Sequence, residues 1–132
     1  MRESIMKVVK NVLIEHEDIA FSYFFGSFTK EEKFSDIDIG IYLLSVPDNI
    51  FILTSELKHK ISRKLIEKNL KFKADDVDIV VMNLISFTFL RRIFKEGRLI
   101  LDRAPHLRTS LIEKNSIKYR ECLGLLSEAG IL

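Results

Sequence analysis

The segment Ser35 to Leu44, SDIDIGIYLL, constrains the fold more than any other. Ile37, Ile39, Ile41 and Leu43 alternate there with Asp36, Asp38 and Gly40. A period of two belongs to a strand, whose successive side chains point to opposite faces. One face of this strand must therefore meet a core, while Asp36 and Asp38 share the other. Two carboxylates held side by side repel, and proteins accept that mainly where a cation or a shared proton relieves it. Oxygen-only ligands on neighbouring positions suit a hard cation such as Mg²⁺. Taken alone, the pair also fits the solvated polar face of an edge strand.

Two further strands flank this one. Ile19 to Phe25, IAFSYFF, is apolar and aromatic and stops at Gly26-Ser27, which predicts a buried strand leaving through a turn. Such a turn lets the backbone approach a ligand, and its N–H groups and hydroxyl can hold a phosphate. Gly-Ser is also an ordinary way to leave a strand, so the turn is weak evidence by itself. Thr29 to Phe34 reads as a short exposed connection or a single helical turn. Val77 to Val81 is the third strand, with Asp78 set inside an apolar run where an unpaired charge is expensive. Asp76 shares its parity and is the rival, although the start of a strand suits a solvated acid.

The remaining segments carry helical spacing. Ile5, Val8, Val9, Val12, Leu13 and His16 form one stripe. Ile50, Leu53, Leu57, Ile61 and Leu65 predict a long helix from Pro47-Asp48-Asn49 to about Asn69. Ser86 caps a helix carrying Phe87, Leu90 and Phe94, and Gly97 is placed to stop it. Arg98 to Leu101 is a short fourth strand. Pro105 opens a last helix, to about residue 127, with Leu107, Leu111, Tyr119, Cys122 and Leu126 on its apolar side. Gly124 weakens its end by about 1 kcal/mol relative to Ala. No linker or repeat divides the chain, so residues 1–132 are expected to form one domain of mixed α and β.

Composition narrows the functional classes. Lys plus Arg is 21 against 19 for Asp plus Glu, and a net charge of +2 argues against direct nucleic-acid binding as the main task. A basic excess from Arg91 to Arg120 is scattered and reads first as solvated surface. One cysteine, Cys122, excludes an internal disulfide, and no apolar run approaches the ~20 residues of a membrane span. With no signal-like N-terminus, a cytoplasmic setting is the expectation. His16, His59 and His106 share no ligand spacing, and Tyr23 and Tyr42 lie in strands as core aromatics.

A phosphate cradle, a carboxylate pair and a third carboxylate on a separate strand are what two-metal nucleotidyl transfer requires. The ordered set Gly26-Ser27-Phe28, Ser35-Asp36-Ile37-Asp38-Ile39-Gly40 and Val77-Asp78-Ile79-Val80 resembles the polymerase-β-type nucleotidyltransferase superfamily, in its minimal (MNT) branch. Asn83 to Arg103 resembles the helix–Gly–strand segment that follows in such proteins, so the likeness covers about Ile19 to Arg103.

The resemblance implies an α+β fold, a short mixed sheet of about four strands with helices mainly on one face. It assigns the triphosphate to Gly26 and Ser27 and two Mg²⁺ ions to Asp36, Asp38 and Asp78. Asp78 takes the position that helps lower the pKa of the incoming hydroxyl. It further implies transfer of AMP from ATP, with a HEPN-domain toxin as partner and one of its tyrosines as acceptor. The chain would then be an antitoxin. A small-molecule nucleotidyltransferase and an inactive subunit that blocks its partner sterically are the alternatives. One departure stands out. Only eight residues, Phe28 to Ser35, join Ser27 to Asp36, fewer than is usual, and the customary glycine is missing. Misplacing the cradle by ~1 Å relative to the acids would cost about a hundredfold in rate.

Overall fold

In the computed structural model, which describes residues 1–131, nine elements follow one another. They are α1 (Arg2–Ile14), β1 (Ile19–Phe25), α2 (Ser27–Lys30), β2 (Ile37–Leu43), α3 (Ile50–Glu67), β3 (Val77–Val81), α4 (Phe87–Glu96), β4 (Arg98–Asp102) and α5 (Pro105–Glu128). Single 3₁₀ turns, Ala74–Asp76 and Met82–Leu84, bracket β3. The four strands form one mixed sheet in the order β3-β2-β1-β4. β1 runs antiparallel to β2 and β4, whereas β2 and β3 are parallel. A parallel pair needs a crossover between its strands, and α3 supplies it.

The alternation in β2 sorts the two faces as expected. Ile37, Ile39, Ile41 and Leu43 are buried in the larger core, beneath Ile5, Val9 and Leu13 of α1 and Leu57, Ile61 and Leu65 of α3. Each such side chain contributes roughly 1.5–3 kcal/mol on burial. A smaller cluster lies on the opposite face, where Phe21, Tyr23, Met82 and Ile93 meet Leu90 and Phe94 of α4 and Leu107 and Leu111 of α5, so helices cover both faces of the sheet rather than mainly one. Tyr42 stacks on Phe21 there, with ring centroids 4.9 Å apart, so both strand tyrosines are core residues.

Local signals place the helix ends. Asn49 accepts a hydrogen bond from the N–H of Ile52 at 3.3 Å, and Ser86 accepts one from Phe89 at 3.2 Å. Caps of this kind contribute about 1 kcal/mol. Gly97 does end α4, but not by left-handed backbone, since its φ is −75°. Its reason is space: a Cβ would sit 2.4 Å from the carbonyl oxygen of Ile93 and 2.9 Å from that of Phe24.

Asn83 ties β2 to the turn after β3. Its amide donates to the Leu43 carbonyl and accepts from the Leu43 N–H, both at 2.9 Å. Asn83→Ala leaves that peptide without its partner, and a loss of about 1–3 kcal/mol is expected in denaturant unfolding.

The predicted stripe on α5 packs only in its first half. Leu107 and Leu111 reach the sheet cluster, and the buried Asn115 donates to the Phe87 carbonyl at 2.8 Å. Tyr119 is covered by the Arg91 guanidinium, 3.9 Å from its ring centroid. Beyond this point Cys122 and Leu126 are only half-buried, and Leu123 and Leu125 are exposed. The cause is length, since 24 helical residues span ~36 Å, and strands of five to seven residues offer less than that. The helix nonetheless continues through Gly124 to Glu128. Among the described residues no helix is long and apolar enough to cross a membrane.

Candidate active site

The acidic face of β2 and the exit of β1 meet at one end of the sheet. Phe25, the last residue of β1, pairs with Asp38. The chain then turns at Gly26, with φ 71° and ψ −153°, and enters α2 at Ser27. The Thr29 hydroxyl donates to the Gly26 carbonyl at 2.8 Å and closes the turn. Gly26 is needed on two counts. Its φ is positive, and a Cβ placed on it would lie 2.4 Å from Oδ2 of Asp38. The Gly-Ser turn and the carboxylate are thus packed against each other.

The other two acids join them. Asp36 stands two residues before Asp38, just outside β2, and its charge acts on Asp38. Asp78 is the register partner of Asp38 across the parallel β2–β3 pair, which puts their side chains on one face. Burial pushes the Asp38 carboxyl above the ordinary carboxylate range, and the charges of Asp78 and then Asp36 push it further the same way. Asp38 therefore feels the charge of both other acids. Asp76 is engaged elsewhere, accepting the Lys73 N–H at 2.8 Å in the turn before β3.

Asp78 differs from expectation in one respect. The apolar run around it suggested burial, yet its side chain is 68% exposed, because β3 is an edge strand. Lys58 of α3 reaches around that edge and brings its Nζ to 3.9 Å from the Asp78 carboxylate. Nothing in the sequence distinguishes Lys58 from the other cations on the polar side of α3. Lys30, at the end of α2, pairs with Glu96 at 2.8 Å and tethers the turn to the end of α4. The Glu96 carboxyl is lowered by that hydrogen bond first, and by Lys30, Arg92 and Lys95 as charges.

The short connection is held by an aromatic ladder. Phe28 is buried, with its ring 4.7 Å from both Phe24 and Phe34. Phe34 in turn stacks on Phe72 at 5.9 Å. Aromatic pairs of this kind add about 0.5–1.5 kcal/mol each beyond burial. Eight residues suffice here because two of them are spent as anchors.

The donor set fits a hard divalent cation. The site offers three carboxylates and no nitrogen or sulfur ligand, and two of the carboxylates raise the pKa of the third. As placed, however, no three His, Cys, Asp or Glu side chains among the described residues are gathered into a finished ion cage. Asp78 has the Lys58 ammonium at 3.9 Å. The histidines take no part in any such grouping.

Comparison with known proteins adds a family and a fold. A profile described as polymerase beta, nucleotidyltransferase matches residues 7–106. Among solved structures, the chain is similar to one of a toxin–antitoxin MntA–HepT (TM-score 0.68, 19% identity), covering 96% of this chain and 94% of that one. It is also similar to a Shewanella oneidensis structure of a tri-AMPylated HEPN toxin in complex with an MNT antitoxin (TM-score 0.66, 18% identity, coverage 98% and 95%). A third is a toxin–antitoxin with AMP-PNP (TM-score 0.66, 18% identity, coverage 94% of each chain). At these identities the likeness is one of fold. No curated protein matches the sequence.

Proposed function

Because the chain belongs to the polymerase beta, nucleotidyltransferase family, we propose that it transfers AMP from ATP to a hydroxyl, with Mg²⁺, as a single domain. The acceptor is a tyrosine of a HEPN-domain toxin, and the chain is that toxin's antitoxin, acting in the cytoplasm. One observation carries the reading: the Gly26–Ser27 turn is packed directly on Asp38, the acid that both Asp36 and Asp78 influence. The tri-AMPylated HEPN toxin found with its MNT antitoxin supports the choice of acceptor. The AMP-PNP complex supports the choice of nucleotide.

Asp36, Asp38 and Asp78 would hold two Mg²⁺ ions, which supply charge neutralisation at the α-phosphate and at the departing pyrophosphate. The chain's own groups do the positioning. The N–H groups and hydroxyl of the Gly26–Ser27 turn orient the triphosphate. Asp78, exposed on the edge strand, stands where an incoming hydroxyl can reach it and is placed to take its proton. The acceptor oxygen then bonds to the α-phosphorus, the bond from the α-phosphorus to the bridging oxygen breaks, and pyrophosphate leaves. Lys58 must give up Asp78 when the site fills.

The test uses the chain with its co-purifying partner, labelled ATP and Mg²⁺, beside an Asp36→Ala/Asp38→Ala variant. Label on the partner, absent with the variant, is the expected result. A stable complex without transfer favours a subunit that acts by steric block. Label appearing only on added small hydroxyl compounds favours a small-molecule transferase.

A further inference from the structure

We propose that Arg2 is a positioning residue for nucleotide binding, clamping from α1 the segment that joins the Gly26–Ser27 turn to Asp36. The inference rests on the transferase reading above and extends it to a residue remote from the acids.

The clamp is built from four contacts. Arg2 Nε donates to the carbonyl of Phe28 at 3.0 Å, and Nη2 donates to the carbonyl of Glu31. The guanidinium carbon lies 4.8 Å from the ring centroid of Phe34 and 5.5 Å from that of Phe28. A planar guanidinium can bond two carbonyls while stacking on rings, which an ammonium cannot.

The position of these carbonyls gives the clamp its purpose. α2 has four residues, so it is a single turn with orphan carbonyls at its end. A helix that short has no stability of its own in water. Within α2 the N–H of Thr29 returns to Gly26 and that of Glu31 to Ser27. Arg2 takes Phe28 and Glu31, the carbonyls on either side of the point where the chain leaves the turn. Residues 31–36 beyond it form no helix or strand before β2 begins. Arg2 makes no hydrogen bond or ion pair to Asp36, Asp38 or Asp78 among the described residues, so its effect passes through the backbone.

A looser segment spends less time with the Gly-Ser turn in its binding geometry, and apparent nucleotide affinity falls by that fraction. Asp36, at the far end of the segment, is the other group that would drift.

Arg2→Ala and Arg2→Lys variants test this in two arms. Amide hydrogen exchange over residues 28–36 in nucleotide-free protein is expected to quicken in Arg2→Ala, with α3 and the sheet unchanged. Calorimetry with ATP and Mg²⁺, together with transfer kinetics, is expected to give a roughly tenfold loss of affinity. KM should rise by more than kcat falls, with Arg2→Lys intermediate in both arms. Should Arg2→Ala fail to fold, Arg2→Lys carries the comparison. Unchanged exchange, or unchanged nucleotide affinity in a folded variant of a wild type that binds ATP, overturns the role of Arg2 alone. A wild type that neither binds ATP nor transfers overturns the transferase reading, and this role with it.

Discussion

An Asp38→Asn variant is expected to lose nucleotide transfer, by ~10²–10³-fold or more, while its thermal midpoint rises. Both effects come from the same geometry. Asp38 is partly buried between two other acids, and its carboxyl is held above the ordinary range by burial, then by Asp78 and Asp36. The unfolded chain has an ordinary carboxyl, so between the two pKa values the folded state binds more protons. Stability therefore falls as pH rises from the ordinary carboxylate value through the folded one, and stays lowered above it. Asparagine keeps the shape and removes the charge. Its stabilising effect should be absent in acid, grow across that window and persist at neutral pH, as thermal melts at several pH values would record. A variant that loses stability at neutral pH, or gains it only in acid, contradicts the electrostatic account of the site.

Gly26→Ala is the second large effect expected, and here activity and stability fall together. The new Cβ would meet Asp38 Oδ2 at 2.4 Å, and the residue would have to hold a φ of 71°. Either the turn or the carboxylate must move. A displacement of ~1 Å is enough to cost about a hundredfold in rate. Strain and displacement together should lower stability by about 1–3 kcal/mol in chemical unfolding. An Asp38→Ala background separates the two causes. It removes the clashing oxygen, so the destabilisation by Gly26→Ala should shrink there to the cost of positive φ, about 1–2 kcal/mol. An equal loss in both backgrounds would show that the turn and the acid are not in contact.

These two residues also mark how far the sequence could be read. Periodicity separated the faces of β2, because alternation is a local property that burial enforces residue by residue. Asn49, Ser86 and Pro105 announced helix starts for the same local reason. The pairing of Asp38 with Asp78 is not local. It depends on β3 lying parallel beside β2, which only the α3 crossover decides. The exposure of Asp78 follows from the strand order, and a short apolar run cannot reveal whether its strand is central or at an edge.

Long-range side-chain contacts were hidden for a similar reason. Lys58 approaches Asp78, and Arg2 grips a loop 26 to 29 residues away, yet each is one cation among many in the sequence. Thr29 to Phe34 reads as an exposed connection or a single helical turn; the turn is there as α2, but Phe34 is packed against the buried Phe28 and anchors the loop. Gly97 was expected to stop α4 and does, and the structure shows that its small size is what the position requires. The far half of α5 was expected to pack, but helical periodicity gives no measure of where the sheet beneath it ends.

If the three acids and the Gly26–Ser27 turn form a nucleotidyl-transfer site, the α-phosphate of ATP must end on the acceptor. The most direct test is to give the chain, Mg²⁺ and the co-purifying partner ATP labelled at the α-phosphate in one reaction and at the γ-phosphate in another. Only the α-label is expected to become covalently attached to the partner, with the γ-label released as pyrophosphate. Attachment of the γ-label, or of neither while the complex stays intact, would contradict nucleotidyl transfer at this site.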